Sequence, residues 1–241
     1  MLKMSKISNF WKLVNGYLKE SYFPSFCVNC HRDQDLVNDF LCAGCNNKIE
    51  LIKSPTCPAC GKLNSAGQYC PNCRSKTALT GMIVAAKFEG PVKELVHYLK
   101  YVKMQRIASM LGEMIIKRLS ISDIRGDLVL VPVPLHICRR LKRGFNQSEL
   151  IAKYISKKKQ IPYTSVLKRV KNTPQQMKLN RKLRLKNLEG AFKCIKNSEI
   201  IGRTVLLVDD VSTTGATLNE CAKVLRTAGA KQIFGLVVAR G

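Results

Sequence analysis

The chain has 241 residues, 46% apolar and 24% charged, with 41 Lys and Arg against 16 Asp and Glu, a formal net charge of +25, and 11 cysteines. This is too apolar for a disordered chain. No apolar run reaches the ~18–20 residues of a membrane-spanning helix, and Ser8, Asn9, Lys12, Asn15 and Gly16 interrupt any signal-peptide core. The expectation is an intracellular, cytoplasmic protein that meets polyanions: nucleic acid, anionic lipid or phosphorylated ligands.

In residues 1–24, Phe10, Trp11, Val14, Tyr17 and Leu18 recur at helical spacing. This amphipathic helix is expected to pack on its own protein, with a helix lying in a membrane interface as the alternative. Residues 25–78 form a small module holding four Cys-x-x-Cys pairs: Cys27/Cys30, Cys42/Cys45, Cys57/Cys60 and Cys70/Cys73. Two intervening residues allow a turn that points both thiolates at one ion, and two such turns complete a tetrahedral site. In an intracellular chain this grouping reads as zinc rather than disulfides. A redox Cys-x-x-Cys would be a single pair beside a βαβ unit. The pairs divide naturally into sites at 27–45 and 57–73, although interleaved pairing also satisfies the spacing. Four sulfurs per ion leave no open position, so both Zn²⁺ sites read as structural. His31, next to Cys30, reads as a surface histidine and not a ligand.

From Gly81 the pattern changes, and residues 79–241 read as one α/β domain. Strands are expected at 82–88, 128–133, 204–208 and 233–239. Helices are expected at 91–102, with Pro91 in the first turn, at 105–119, from an Asn146/Glu149 capping box to about Lys157, and at 217–227. Unbroken apolar strands alternating with helices imply a parallel sheet covered on both faces.

The last β-α-β unit carries the strongest chemical signal. Val205 to Val208 form an apolar strand that ends in two carboxylates, Asp209 and Asp210. Val211 and Ser212 lead to Thr213, Thr214, Gly215, Ala216 and Thr217, small and hydroxyl-bearing residues that open a helix. Backbone N–H groups there and the helix N-terminus suit a phosphate. Gly215 permits close backbone approach, and the carboxylates suit vicinal sugar hydroxyls, directly or through a divalent ion. The chain contains no G-x-x-x-x-G-K-[ST] sequence, which argues against an NTPase.

All thirteen positions from Val205 to Thr217 match the signature of type I phosphoribosyltransferases. The resemblance implies that Asp209 and Asp210 bind the ribose hydroxyls of phosphoribosyl pyrophosphate (PRPP) and that Thr213 to Thr217 bind its 5-phosphate. Val131-Pro132-Val133-Pro134, then Arg139-Arg140-Leu141-Lys142-Arg143-Gly144-Phe145-Asn146-Gln147-Ser148, resemble the ComF (ComFC) family of competence proteins. So does the run from Thr173-Pro174-Gln175-Gln176 through Arg181, Arg184 and Asn187 to Gly190-Ala191-Phe192. With the cysteine module, that resemblance spans nearly the whole chain. The same segments resemble the transferase half of glutamine-PRPP amidotransferases, but the start Met1-Leu2-Lys3 lacks that class's N-terminal cysteine nucleophile.

A PRPP-binding fold needs cations near the pyrophosphate and a lid. Arg139, Arg140 and Arg143 are candidates for the pyrophosphate or a nucleic acid, Mg²⁺ would offset the remaining charge, and the polar stretch 171–188 reads as the lid. No catalytic residue is assigned. The chain ends two residues beyond its last strand, and only the short helical stretch 90–119 offers a hood to select an acceptor. Residues 139–193 hold 17 Lys and Arg but only two acids, Glu149 and Glu189. That is more than a diphosphate needs and suits a single-strand groove, with Phe145 or Tyr163 for stacking; a solvated basic face is the bland alternative. The ComF resemblance implies single-stranded DNA as a partner during uptake across the inner membrane, together with a competence helicase and the DNA-uptake machinery. The alternative is a Mg²⁺-dependent phosphoribosyltransferase of nucleotide salvage or modification with an unidentified acceptor.

Overall fold

The computed structural model describes residues 25–33, 35–52, 56–60, 67–171 and 188–241. The expected helix of residues 1–24 lies outside the described residues, as do Arg181, Arg184, Asn187 and the rest of the expected lid between Lys171 and Leu188. The chain divides into two compact units, Met1–Ile49 with Glu89–Ile107, and Glu50–Phe88 with Ala108–Gly241.

The first unit holds the first cysteine cluster, a short helix α1 (Ala43–Asn46) and helix α3 (Gly90–His97). The expected single helix over 91–102 divides. Its α-helical part stops at His97 and widens into a π-helical turn, Tyr98–Val102, which Lys103 ends in the left-handed region at φ 64°. Within this unit Arg106 pairs with Asp39 at 3.0 Å, and exposed His31 lies 3.4 Å from the Tyr98 hydroxyl through Nδ1.

In the second unit, α2 (Pro71–Arg74) belongs to the second cysteine cluster. It precedes β1 (Gly81–Lys87), α4 (Ile107–Leu119), β2 (Leu128–Pro132), α5 (Ile137–Arg143), α6 (Gln147–Lys159), β3 (Leu167–Arg169), β4 (Phe192–Cys194), β5 (Thr204–Ser212), α7 (Ala216–Thr227) and β6 (Gln232–Arg240). Strands β1, β6, β5 and β2, in that order, form a wholly parallel sheet. Val205 to Val208 and Leu236 to Ala239 are completely buried, as expected for a sheet covered on both faces. Helix α7 buries Leu218, Cys221, Ala222 and Leu225, an i, i+3, i+4, i+7 stripe. Strands β3 and β4 pair antiparallel as a separate ribbon that brackets the undescribed stretch.

The free edge of β1 is covered rather than exposed. Leu51 bridges antiparallel to Ala86 and Gln68 to Gly81, so one segment before the second cysteine cluster and one within it lie along the strand. The approach is close enough to require glycine on both sides. A Cβ on Gly67 would stand 2.7 Å from the Met82 carbonyl oxygen, and one on Gly81 2.7 Å from the Gly67 oxygen.

Candidate functional site: a threonine-glycine loop beside a zinc ribbon

The cysteines assemble as two neighbouring sets, Cys27/Cys30/Cys42/Cys45 and Cys57/Cys60/Cys70/Cys73, with the four sulfurs of each set within 4.8 Å of one another. This resolves the pairing in favour of adjacent rather than interleaved pairs. A Zn–S bond of about 2.3 Å in tetrahedral geometry places sulfurs about 3.8 Å apart. Cys30 and Cys42 Sγ are 3.9 Å apart and Cys60 and Cys70 Sγ 3.7 Å, so the donor sets fit the ion. Burial pushes the Cys27 and Cys57 thiols up, but backbone amides outweigh it: those of Cys30, Cys42 and Asn29 lower Cys27 to about 6, and those of Cys70, Cys60 and Ala59 lower Cys57 to about 6. At Cys27 and Cys57 the backbone amides thus favour the thiolate, the form that binds metal.

The sequence places the two carboxylates at a strand end, but β5 runs on through them to Ser212, because β6 continues beside it as far as the Ser212/Arg240 pair. On the other side β2 stops at Pro132, opposite Val208. Asp209 is thus the first β5 residue with no strand beside it on that edge, and α6 fills the space. Ser148 Oγ donates to Asp209 Oδ1 at 2.8 Å, and the Asp210 amide donates to the same oxygen at 2.9 Å. Successive strand residues face opposite ways. Asp210 is accordingly buried while Asp209 is half-buried, and Asp210 Oδ1 accepts the Val211 amide at 2.6 Å.

Ser148 is held in turn. Asn146 caps α6 by accepting the Ser148 amide at 3.2 Å, and its own Nδ2 donates to the Val133 carbonyl at 3.0 Å. The expected capping box is only half realised, since the Glu149 carboxylate pairs with Lys153 at 2.7 Å and faces Arg140 at 3.9 Å.

Thr213, Thr214, Gly215, Ala216 and Thr217 form the turn from β5 into α7. Gly215 is the N-cap residue at φ 74°, ψ 0°, a left-handed conformation, and Thr214 Oγ1 accepts the Ala216 amide at 3.4 Å. Ser212, immediately before the turn, is buried and its hydroxyl has no hydrogen-bond partner among the described residues.

The second zinc ribbon is fastened beside this loop. Asn219, in the first turn of α7, accepts from Thr77 Oγ1 at 2.9 Å and from the Ala78 amide at 2.8 Å. Arg226 donates to the Ala78 carbonyl at 2.7 Å, and Arg240, at the end of β6, donates to the Pro58 carbonyl inside a Cys-x-x-Cys turn. None of these residues stands out in the sequence, because their roles arise from contacts across some 140 to 180 positions of chain.

Arg139, Arg140 and Arg143 fall on α5, a helix not anticipated from the sequence and one that buries no residue. Arg143 Nη1 donates to Gln147 Oε1 at 2.5 Å, linking α5 to α6. A further cation, Arg169 on β3, is 7% exposed and lies 5.5 Å from the Phe192 ring centroid. Burial lowers its proton affinity and the neighbouring charge of Arg139 lowers it further, while Cys221 and Asp209 act in the opposite sense. The sequence marks Arg169 only as one more basic residue.

Residues 18–74 match the double zinc ribbon domain, and residues 114–240 match the phosphoribosyl transferase domain. Competence protein F of Haemophilus influenzae is 32% identical over 231 residues, covering 91% of this chain and 99% of that protein. DNA utilization protein YhgH of Escherichia coli is 30% identical over 217 residues, 87% of this chain and 94% of that one. Competence protein ComFC of Bacillus subtilis is 28% identical over 196 residues, 78% of this chain and 79% of that one. Since the likeness runs through both zinc ribbons and the phosphoribosyltransferase-type sheet, the chain belongs to the ComF family.

Proposed function

We propose that this protein acts in natural transformation as a ComF-type competence protein that binds PRPP and handles incoming single-stranded DNA at the cytoplasmic side of the inner membrane. The observation that carries this reading is the full-length likeness to Competence protein F, 99% of which is covered: the shared unit is the whole assembly of ribbons and phosphate loop. In this reading Thr213 to Thr217 hold the 5-phosphate and Asp209 and Asp210 receive the ribose hydroxyls. Arg139, Arg140 and Arg143 face the diphosphate together with Mg²⁺, which would supply charge neutralisation. The orientation of Asp209 by Ser148 and the Asp210 amide suits such a carboxylate. Among the described residues no helix is long and apolar enough to cross a membrane, so contact with the uptake machinery, a competence helicase or the lipid surface would be peripheral.

Deletion of the gene should abolish or sharply lower transformation, with rescue by the wild-type gene and not by the Asp209→Asn/Asp210→Asn double variant. Undiminished transformation in the deletion strain overturns the competence reading, and full rescue by the double variant removes PRPP from it. The presence of both carboxylates beside the Thr213–Thr217 loop also supports a second reading, transfer of phosphoribose to an acceptor. Pyrophosphate release from PRPP and Mg²⁺, dependent on an added base or strand, tests it.

A further inference from the structure

The phosphate loop does not end in a closed cradle. It opens into a cleft of about 380 Å³ whose opposite wall is the second zinc ribbon; the lining includes Thr214, Pro58, Tyr69, Lys76, Asn219 and Arg240. That volume lies within the ~300–1,000 Å³ range of pockets that hold small organic ligands, far more than one phosphate group needs. Its chemistry suits a nucleotide: a half-buried Tyr69 ring, an Asn219 side chain, and the exposed cations Lys76 and Arg240. Among the described residues no carboxylate pairs with Lys76.

From this arrangement we infer that the site takes the 3′ end of a DNA single strand, with the penultimate nucleotide in the cleft between the zinc ribbon and the phosphate loop. The inference rests on the phosphate-loop reading above and extends it. A sugar at Asp209 with its 5-phosphate on Thr213 to Thr217 must, if it belongs to a strand, continue through that phosphate to the nucleotide on its 5′ side. The cleft adjoins the loop where that nucleotide would lie. On the 3′ side the strand cannot continue, because a 3′-phosphodiester would set a second anion against Asp209, whereas a free 3′-hydroxyl can donate to it. The zinc ribbon thus forms one wall of a strand-end site, and PRPP and a strand end compete for one loop.

The test uses the full-length zinc-loaded protein and a fluorescent pentadeoxynucleotide labelled at its 5′ end, at 150 mM salt or above to suppress general charge binding. Anisotropy should show the 3′-hydroxyl form binding at least about tenfold more tightly than the same strand with a 3′-phosphate, and PRPP with Mg²⁺ displacing it. Lys76→Glu, at an exposed position outside the loop, should weaken the strand about tenfold and leave the PRPP affinity measured by calorimetry unchanged. Equal affinity for the two termini, failure of PRPP to displace the strand, or indifference to Lys76→Glu overturns the proposal. If wild-type protein still binds PRPP and Asp209→Asn does not, the phosphate-loop reading survives that outcome. If wild-type protein binds no PRPP, both fall together.

Discussion

Ser148 Oγ donates to Asp209 Oδ1 at 2.8 Å, joining the first turn of α6 to the edge of β5 left open where β2 ends. The bond ties the Arg143-Gly144-Phe145-Asn146-Gln147-Ser148 run to the strand that leads into the Thr213–Thr217 loop, some 65 residues later in the chain. Hydrogen bonds to charged groups contribute about 1.5–3 kcal/mol. Ser148→Ala is therefore expected to weaken PRPP binding roughly tenfold, since about 1.4 kcal/mol corresponds to a factor of ten. Calorimetric titration of the variant checks it, and an unchanged affinity would detach Ser148 from the site.

Asp209 and Asp210 should respond differently to substitution. Asp209 is half-buried, whereas Asp210 is 3% exposed and its carboxylate accepts the Val211 amide. Asp209→Asn, whose side-chain oxygen can still accept from Ser148 Oγ and the Asp210 amide, should reduce PRPP affinity with little loss of stability. Asp210→Ala should also destabilise the fold, by about 1–3 kcal/mol for a hydrogen-bonding group left without its partner. Denaturant unfolding of the two variants distinguishes the roles, and equal unfolding midpoints would show Asp210 to be structurally dispensable.

Local signals made much of this legible from sequence. The buried strands, the helices expected at 217–227 and from Asn146 to about Lys157, and the eight paired cysteines are periodic or regularly spaced, and each reads without reference to the rest of the chain. What was hidden depends on pairing. The run of β5 through Asp209 to Ser212 comes from β6 continuing beside it, which no property of Asp209 announces. The α-helix ending at His97 and widening into a π turn interrupts an otherwise regular apolar period. Ser148, Asn219 and Arg240 are ordinary residues in sequence, and they matter only through the partners that the fold brings to them.

The two zinc sites should differ in their consequences. The second ribbon contacts α7 through Asn219 and Arg226 and β6 through Arg240, whereas the cysteines of the first belong to the other unit. Cys57→Ser should release one zinc and weaken PRPP and strand binding. Cys27→Ser should release one zinc and leave PRPP affinity within about twofold. Metal content and calorimetry on both variants check this, and equal losses of PRPP affinity would contradict the asymmetry.

Helix α5 buries no residue, exposes Ile137 and Leu141, and carries exposed Arg140 and Lys142 beside half-buried Arg139 and Arg143. If it tracks a strand backbone, each neutralised contact should flatten the log–log salt dependence by about 0.7 for single-stranded DNA. Arg140→Gln with Lys142→Gln should therefore lower the slope by about 1.4 and weaken binding without regard to sequence. An unaltered slope would return this charge to a solvated surface.

Gly215 offers the most direct test of the phosphate loop. Its φ of 74° is one that L side chains rarely adopt, yet an added Cβ would meet nothing closer than Met82 Cε at 3.8 Å. Gly215→Ala therefore tests backbone conformation rather than space. A left-handed alanine costs about 1–2 kcal/mol, which the loop either bears, lowering stability by that amount, or escapes by turning its peptides out of the left-handed region. Turning redirects the amides of Gly215 to Thr217 that would face the phosphate. If the loop turns, PRPP affinity should fall more than for Thr213→Ala, where an exposed side chain is shortened and the backbone keeps its conformation. A Gly215→Ala protein that keeps wild-type stability, because its peptides have turned, yet binds PRPP with wild-type affinity would mean that the phosphate is held elsewhere.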